Sequence, residues 1–494
     1  MTRGAMADFA RASLVLLALA HGIARGDEPP TDVTDPADPT NPIASLSARP
    51  GGLTANDAAA RAGATSIEVR VRGEDVIQAA AGVDQALAAL FPRLQLLARY
   101  TRLSPVTLPS LGPGYLVAVP NGTPLGPNGE LGASTQLYGA ALSFPVLLNN
   151  TLFQASLSLP ISDYVLRFAQ GLSAAAHAKE AARLATRGAR IKAAADARLL
   201  FYAWVRARGQ ALVAEQALAQ ARAHLGDATA MFSAGMLSKA DVLRVDSQAA
   251  AIELLVEQSR GLVEVLQAEL RVTMHDDGDG DRPYQIGEDV LAELPPIAAE
   301  PTDALTAEAE SRRPELRALI ETRRSLDDQA RLARAGYLPQ IAAFGDAGYA
   351  NPNPRVFPQV DQFSATWDVG VQVAWAPNDA AVAWAAAKGA VSRAAQVRAQ
   401  LDGLHDAVRI EIAGARAALA EAQLADGTTA RGLTAAEESY RVRRELFRNG
   451  RATSVELSDA EADLTRARLA ALGAKIDQRI ARVKLAHATG RDAK

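Results

Sequence analysis

The 494-residue sequence contains no cysteine. That excludes a disulfide framework, thiolate metal sites, thiol nucleophiles and a lipid anchor on an N-terminal cysteine. Aromatic residues make up only 5%, and with a formal net charge of -4 there is no basic field, so nucleic acid is not an expected partner. Few aromatics beside abundant alanine, leucine and arginine favour long helices over a compact sandwich or a doubly wound sheet. Long apolar runs are missing as well. The run from Leu14 to Ala20 falls far short of the ~20 residues of a spanning helix. With Arg3 and Arg11 before it and Ala18-Leu19-Ala20 at its end, it reads as a signal peptide over residues 1–26. The other reading is a short amphipathic start to a cytosolic helix. Without a spanning helix, any membrane insertion has to use strands.

Chemical constellations are also lacking. His21, His177, His224, His275, His405 and His487 show no H-x-x-x-H spacing and read as lone surface residues. Asp277, Asp279 and Asp281 with Glu288 echo a calcium loop, but Arg282 stands where that loop needs glycine, so a solvated turn is expected. No G-x-S-x-G, Walker loop or dinucleotide fingerprint occurs in a strand–turn–helix context. The expectation is no catalytic residue, no metal, no cofactor and no enzyme.

What is present is one plan used twice. Residues 27–66, rich in Pro, Asp and Thr, read as a disordered arm. Residues 67–274 form repeat 1, 275–311 an inter-repeat equatorial segment, 312–490 repeat 2 and 491–494 a tail. Each repeat starts with a helix, over residues 74–90 and then from Pro314 to Pro339. Two strands follow in each. After Pro92, Leu94, Leu96, Ala98 and Tyr100 share one face, opposite Arg93, Gln95, Arg99 and Thr101. Past a Gly/Pro-rich loop over residues 104–150, Phe153, Ala155, Leu157 and Leu159 alternate with Gln154, Ser156 and Ser158. Repeat 2 has a weaker strand from Ile341 to Tyr349, then Trp367, Val369, Val371, Val373 and Trp375 against Thr366, Asp368, Gly370 and Gln372. These stretches of about ten residues match tilted strands crossing a bilayer, with Trp367 and Trp375 as membrane-interface aromatics; the other reading is a soluble half-buried sheet. Long proline-free helices follow, from Asp163 to Ser233 and from Ala380 to Arg448, each folded back by a second helix with coiled-coil spacing.

The turn between the two helices is the sharpest signal. Phe232-x-x-Gly235-x-x-Ser238-x-x-Asp241 recurs as Phe447-x-x-Gly450-x-x-Thr453-x-x-Glu456, an offset of 215 residues that Leu254/Leu469 and Leu270/Leu485 share. The glycine takes the left-handed conformation that ends a helix. Ser238 and Thr453 then cap the next helix, with Asp241 and Glu456 completing a capping box.

Four strands cannot close a barrel, since the smallest membrane barrels have about eight. Open edges are not tolerated in lipid, so spanning strands demand an oligomer.

In these turns, in Arg313-Pro314-Glu315-Leu316, in Pro92 and Pro339, and in Pro160-Ile161-Ser162-Asp163 and Pro377-Asn378-Asp379, the sequence resembles the TolC-like family of outer-membrane efflux proteins. The resemblance implies a mainly α fold with a β membrane part, in which long antiparallel helical hairpins form a periplasmic α-barrel. Four strands per chain would contribute to the twelve-stranded β-barrel of a homotrimer in the outer-membrane lipid of a Gram-negative bacterium. It implies a passive exit duct for efflux or secretion, coupled through a periplasmic adaptor to an inner-membrane transporter. It puts Phe232, Gly235, Ser238, Phe447, Gly450, Arg451 and Thr453 at an adaptor-docking tip. Acidic family positions match Asp241, Glu456 and Asp459. Glu456 and Asp459, three apart on one helical face, would form a cation-selecting ring of six carboxylates in a trimer. For Asp241 and Glu456, capping alone is the other reading. Where the best-known members place a tyrosine and an arginine that latch the closed tip, this chain has Phe447 and Ala452, with Arg448 and Arg451 as nearby substitutes. The competing function is a soluble periplasmic coiled-coil scaffold or adaptor; an adaptor should carry a small lipoyl-like β domain, and the sequence has none.

Overall fold

The computed structural model describes residues 46–106, 116–118, 123, 127–130, 132–133, 138–140, 146–276, 278, 282–298 and 300–493. The expected signal peptide, residues 27–45 of the arm, parts of the 104–150 loop and the Asp277, Asp279 and Asp281 positions lie outside them.

The helical frame is two hairpins. Helix α4 (Phe168–Ser233) folds back into α5 (Lys239–Met274), and α8 (Pro377–Arg448) into α9 (Ser454–Ala488). At 1.5 Å per residue, the 66 and 72 residues of α4 and α8 span ~99 and ~108 Å. Toward the strands, α2 (Ile67–Ala88) and α7 (Pro314–Arg334) pack on α4, and α7 also packs on α8. Near the turns the layer therefore runs α5–α4–α9–α8, and near the strands α2–α4–α7–α8. Both layers end in helices with exposed apolar residues: Leu254 and Val265 on α5, Val71 and Ile77 on α2, Ile410 and Leu424 on α8. None of the described helices is long and apolar enough to cross a membrane.

The strands β1 (Arg93–Arg102), β4 (Asn149–Leu159), β5 (Gln340–Asn351) and β6 (Ser364–Ala374) form one antiparallel sheet in the order β1-β4-β5-β6. Within the 104–150 loop, β2 (Leu116–Ala118) pairs with β3 (Tyr138–Ala140). The expected strand from Ile341 to Tyr349 is thus longer than its weak alternation indicates, because the ladders to β4 and β6 supply what the side-chain pattern does not.

Around the middle of the hairpins the chain is braced. Buried Arg313 donates to Glu411 at 2.6 Å and to the Ala488 carbonyl at 3.4 Å. Arg491 pairs with both Glu300 and Glu308 at 2.8 Å. Gly209 lets α4 approach α9 and the start of the described chain, since a Cβ there would lie 2.4 Å from Leu472 and 3.2 Å from Leu46.

The structure departs from the sequence pattern at several places. The 27–66 arm ends early: α1 (Ala55–Thr65), opened by a Thr54/Asp57 capping box, buries Ala55, Ala58, Ala59 and Ala62 and packs on α4. The amphipathic pattern of α1 is carried by alanines and follows directly on Pro50-Gly51-Gly52, which reads as loop. The 275–311 segment contains most of α6 (Thr302–Arg312), which buries Leu305 and Ala309. The helix expected to run on from Asp163 is interrupted at Arg167, which separates α3 (Ile161–Leu166) from α4. Arg491, the first residue of the expected 491–494 tail, is held by its pairs with Glu300 and Glu308. Asp276, beside the suspected calcium loop, accepts from the Tyr284 hydroxyl at 2.5 Å.

Candidate functional site: the hairpin turns and the amphipathic sheet

Both turns have the conformation their glycines and caps dictate. Gly235 and Gly450 have φ of 74° and 66°. In the first turn the Gly235 N–H donates to the Phe232 carbonyl at 2.9 Å and the Met236 N–H to that of Met231 at 2.9 Å. In the second, Gly450 donates to Phe447 at 2.9 Å and Arg451 to Leu446 at 2.8 Å, so the same helix-ending motif occurs twice. Asp241 N–H donates to Ser238 Oγ at 3.3 Å and Glu456 N–H to Thr453 Oγ1 at 3.3 Å. The carboxylates return the bond, Asp241 to the Ser238 N–H at 3.3 Å and Glu456 to the Thr453 N–H at 2.9 Å.

The three acidic positions are not equivalent. Asp241 is engaged in its cap. Glu456 caps and also pairs with Arg443 at 3.0 Å; the Thr453 backbone N–H and then the Arg443 charge hold its carboxyl below the usual range. Asp459 is exposed and has no hydrogen-bond or ion-pair partner among the described residues.

The two turns differ in burial, which their shared motif does not foretell. Phe232 is 43% exposed, whereas Phe447 is 1% exposed among Ala228, Val245 and Leu457. His224 meets the Phe447 ring edge-on, with centroids 5.0 Å apart. The expectation of surface histidines fails at this residue. His224 is buried, with Nδ1 3.2 Å from Glu461 Oε2 and Nε2 3.3 Å from Ser454 Oγ. Its burial has a sequence signature, because Ala217, Ala221, His224 and Ala228 form one buried stripe at spacings of 4, 3 and 4. Beside it Arg448 donates to Asp227 at 3.2 Å, joining α8 to α4. Arg451 is exposed in the turn.

At the other end of the molecule, cross-strand register sorts the sheet into two faces. One row runs Leu96, Ala155, Ala347, Trp367 and the next Ala98, Phe153, Tyr349, Ala365, an apolar face unbroken over four strands. Trp367 and Trp375 are 73% and 60% exposed. Eight residues apart, they stand ~27 Å from each other along the strand. Phe363 stacks on Tyr349 at 5.0 Å and lies 6.5 Å from Phe153, an aromatic cluster absent from the sequence reading because Phe363 belongs to a connection. The opposite face carries the row Gln95, Ser156, Asp346, Asp368. Asp346 accepts from Gln154 at 3.1 Å and from Ser156, and Asp368 pairs with Arg355 at 2.9 Å.

Residues 305–491 match the outer membrane efflux protein family. The chain is similar in fold to the Campylobacter jejuni CmeC outer membrane channel, at 15% identity and a TM-score of 0.70 over 88% of this chain and 85% of that one. A membrane protein from Pseudomonas aeruginosa gives 17% identity and 0.70 over 88% and 92%. The outer membrane protein VceC from Vibrio cholerae gives 16% identity and 0.69 over 88% and 96%. No curated protein matches the sequence.

Proposed function

We propose, from the premise that residues 305–491 belong to the outer membrane efflux protein family and that the described chain folds as outer-membrane channels do, that this protein is a passive exit duct of a tripartite efflux or secretion system. It sits in the outer membrane of a Gram-negative bacterium, with the helical hairpins extending into the periplasm. One observation carries the reading: a four-stranded sheet whose two edges have no partner strand among the described residues, and whose apolar face is unbroken, stands on hairpins about 100 Å long. Such a face is unstable in water, and such edges are unstable in lipid until other copies close them. A homotrimer gives twelve strands, and its free helices, α5 and α2 on one side and α8 on the other, become neighbours.

The turns around Phe232, Gly235, Ser238, Phe447, Gly450, Arg451 and Thr453 form the periplasmic tip that docks the adaptor of an inner-membrane pump. The Arg448–Asp227 pair stands in for the tip latch and ties the two hairpins of one protomer together. Asp459 is the principal acidic residue of the entrance, since Asp241 and Glu456 are occupied as caps. Trp367 and Trp375 mark the two membrane interfaces.

The test is fractionation followed by conductance. The protein should pellet with outer membranes, need detergent for release, and form trimers that conduct in planar bilayers. Recovery in the soluble periplasm without detergent would refute the duct and favour a coiled-coil scaffold.

A further inference from the structure

We infer that the seam closing the sheet pairs β6 of one protomer with β1 of the next in a single register, with Arg99 opposite Asp368 and Tyr100 opposite Trp367. This rests on the oligomeric reading above and adds to it which residues meet.

Strand length and face parity select the register. Antiparallel pairing keeps the sum of paired residue numbers constant, and the ten residues of β1 fit within the eleven of β6 only for sums of 466 or 467. The polar face uses Gln95 and Arg99 on β1 but Thr366 and Asp368 on β6, odd numbers against even ones. Matching polar to polar therefore requires an odd sum, and 467 remains. Within one protomer, Gln95 lies in the row of Asp368. Moving to Arg99 in the next copy is a step of four residues, ~14 Å along the strand, for four strands at ~4.8 Å. That stagger tilts the strands by ~35°, within the range of membrane barrels. Stagger in the opposite sense leaves most of β1 hanging past the end of β6.

Charge supports the same register. Asp346 and Asp368 are directly opposed on neighbouring strands, which is unfavourable for like charges. Gln154 and Ser156 donate to Asp346, and Arg355 supplies one cation to Asp368. Among the described residues of the protomer no second cation pairs with Asp346 or Asp368. Arg99 is exposed on the polar face and has no hydrogen-bond or ion-pair partner among the described residues. In the seam it meets Asp368, so two carboxylates face two guanidiniums. Antiparallel pairing of β1 with β1, or of β6 with β6, would need a twofold axis that turns one protomer upside down in the bilayer, so the edges select head-to-tail closure. On the apolar face the same register sets Leu96 against Val371.

A chain without cysteine allows a direct test in the native outer membrane, because engineered cysteines have no background. Gln95→Cys with Gln372→Cys (sum 467) should give oxidised, covalently linked oligomers, while Gln95→Cys with Ala374→Cys (sum 469) should not. Arg99→Asp and Asp368→Arg should each lower the yield of detergent-resistant trimer at least tenfold, and their combination should restore most of it. Cross-linking only in the 469 pair would overturn the register. Charge reversals without effect on a cross-linked trimer would overturn the ion pair. If the unaltered protein is monomeric after detergent extraction, it is the duct reading that fails, and the two failures are thereby distinguished.

Discussion

Phe232 and Phe447 occupy the same place in the repeated motif, yet the fold predicts very different costs for removing them. Phe447→Ala takes a fully buried ring from among Ala228, Val245 and Leu457 and abandons the edge contact to His224. A buried Phe→Ala costs 3–5 kcal/mol, so about 4 kcal/mol is expected. Phe232 is 43% exposed and buries about half of a side chain whose full burial is worth roughly 1.5–3 kcal/mol; its removal should cost about 1 kcal/mol. The difference of about 3 kcal/mol corresponds to a hundredfold or greater contrast in local opening. Hydrogen exchange read by mass spectrometry on the detergent-solubilised protein measures it peptide by peptide. Amides of residues 440–465 should lose about two or more orders of magnitude of protection in Phe447→Ala, while residues 225–245 in Phe232→Ala should lose about tenfold or less. Equal losses in the two variants would refute the reasoning, because they would mean that the turns are energetically interchangeable.

Three further outcomes are expected. At Gly450 an added Cβ meets nothing within 4 Å, so only the φ of 66° opposes substitution. Gly450→Val should destabilise the turn by at least about 1–2 kcal/mol and impair pump-coupled export, while Gly450→Asn, which tolerates the left-handed region, should retain it. Asp459→Asn should lower cation preference in single-channel recordings more than Glu456→Gln; the reverse order would remove Asp459 from the entrance. His487 donates to Asp492 at 2.9 Å, and this bond raises its pKa above 6.5. A raised folded-state pKa stabilises fully below the unfolded value and ceases to do so as pH climbs through the folded one. Asp492→Asn should therefore cost about 1 kcal/mol of stability at pH 5.5 and little at pH 9. Thermal unfolding at the two pH values checks it, and a loss independent of pH would contradict the linkage.

The parts legible in the sequence are those governed by neighbours along the chain. The turn needs only a glycine that ends one helix and a hydroxyl that starts the next, and both lie within ten residues. Alternation likewise gave β4 and β6, since each has one apolar and one polar face. What stayed hidden depends on partners far away. His224 is a lone histidine in α4 until Glu461 and Ser454, more than 200 residues on, enclose it. The inequality of Phe232 and Phe447 exists only because the hairpins pack with one turn covered. Helix α1 escaped for a different reason: its buried face is alanine and its capping box lies among prolines and glycines that read as loop.

The brace around Arg313 gains a mechanical meaning from the length of the helices it grips. From Glu411, where Arg313 holds α8, to Arg448 at the turn is 37 residues, or ~55 Å of helix. A stiff rod held at one point is a lever, and a rotation of about 5° at that fulcrum sweeps the far end through ~5 Å, the pitch of one helical turn. A side-chain rearrangement of ångström scale at the grip is thus magnified into a whole turn of displacement at the hairpin turns. Conversely, a partner that pushes on the turns acts on the brace with the full length of the arm in its favour.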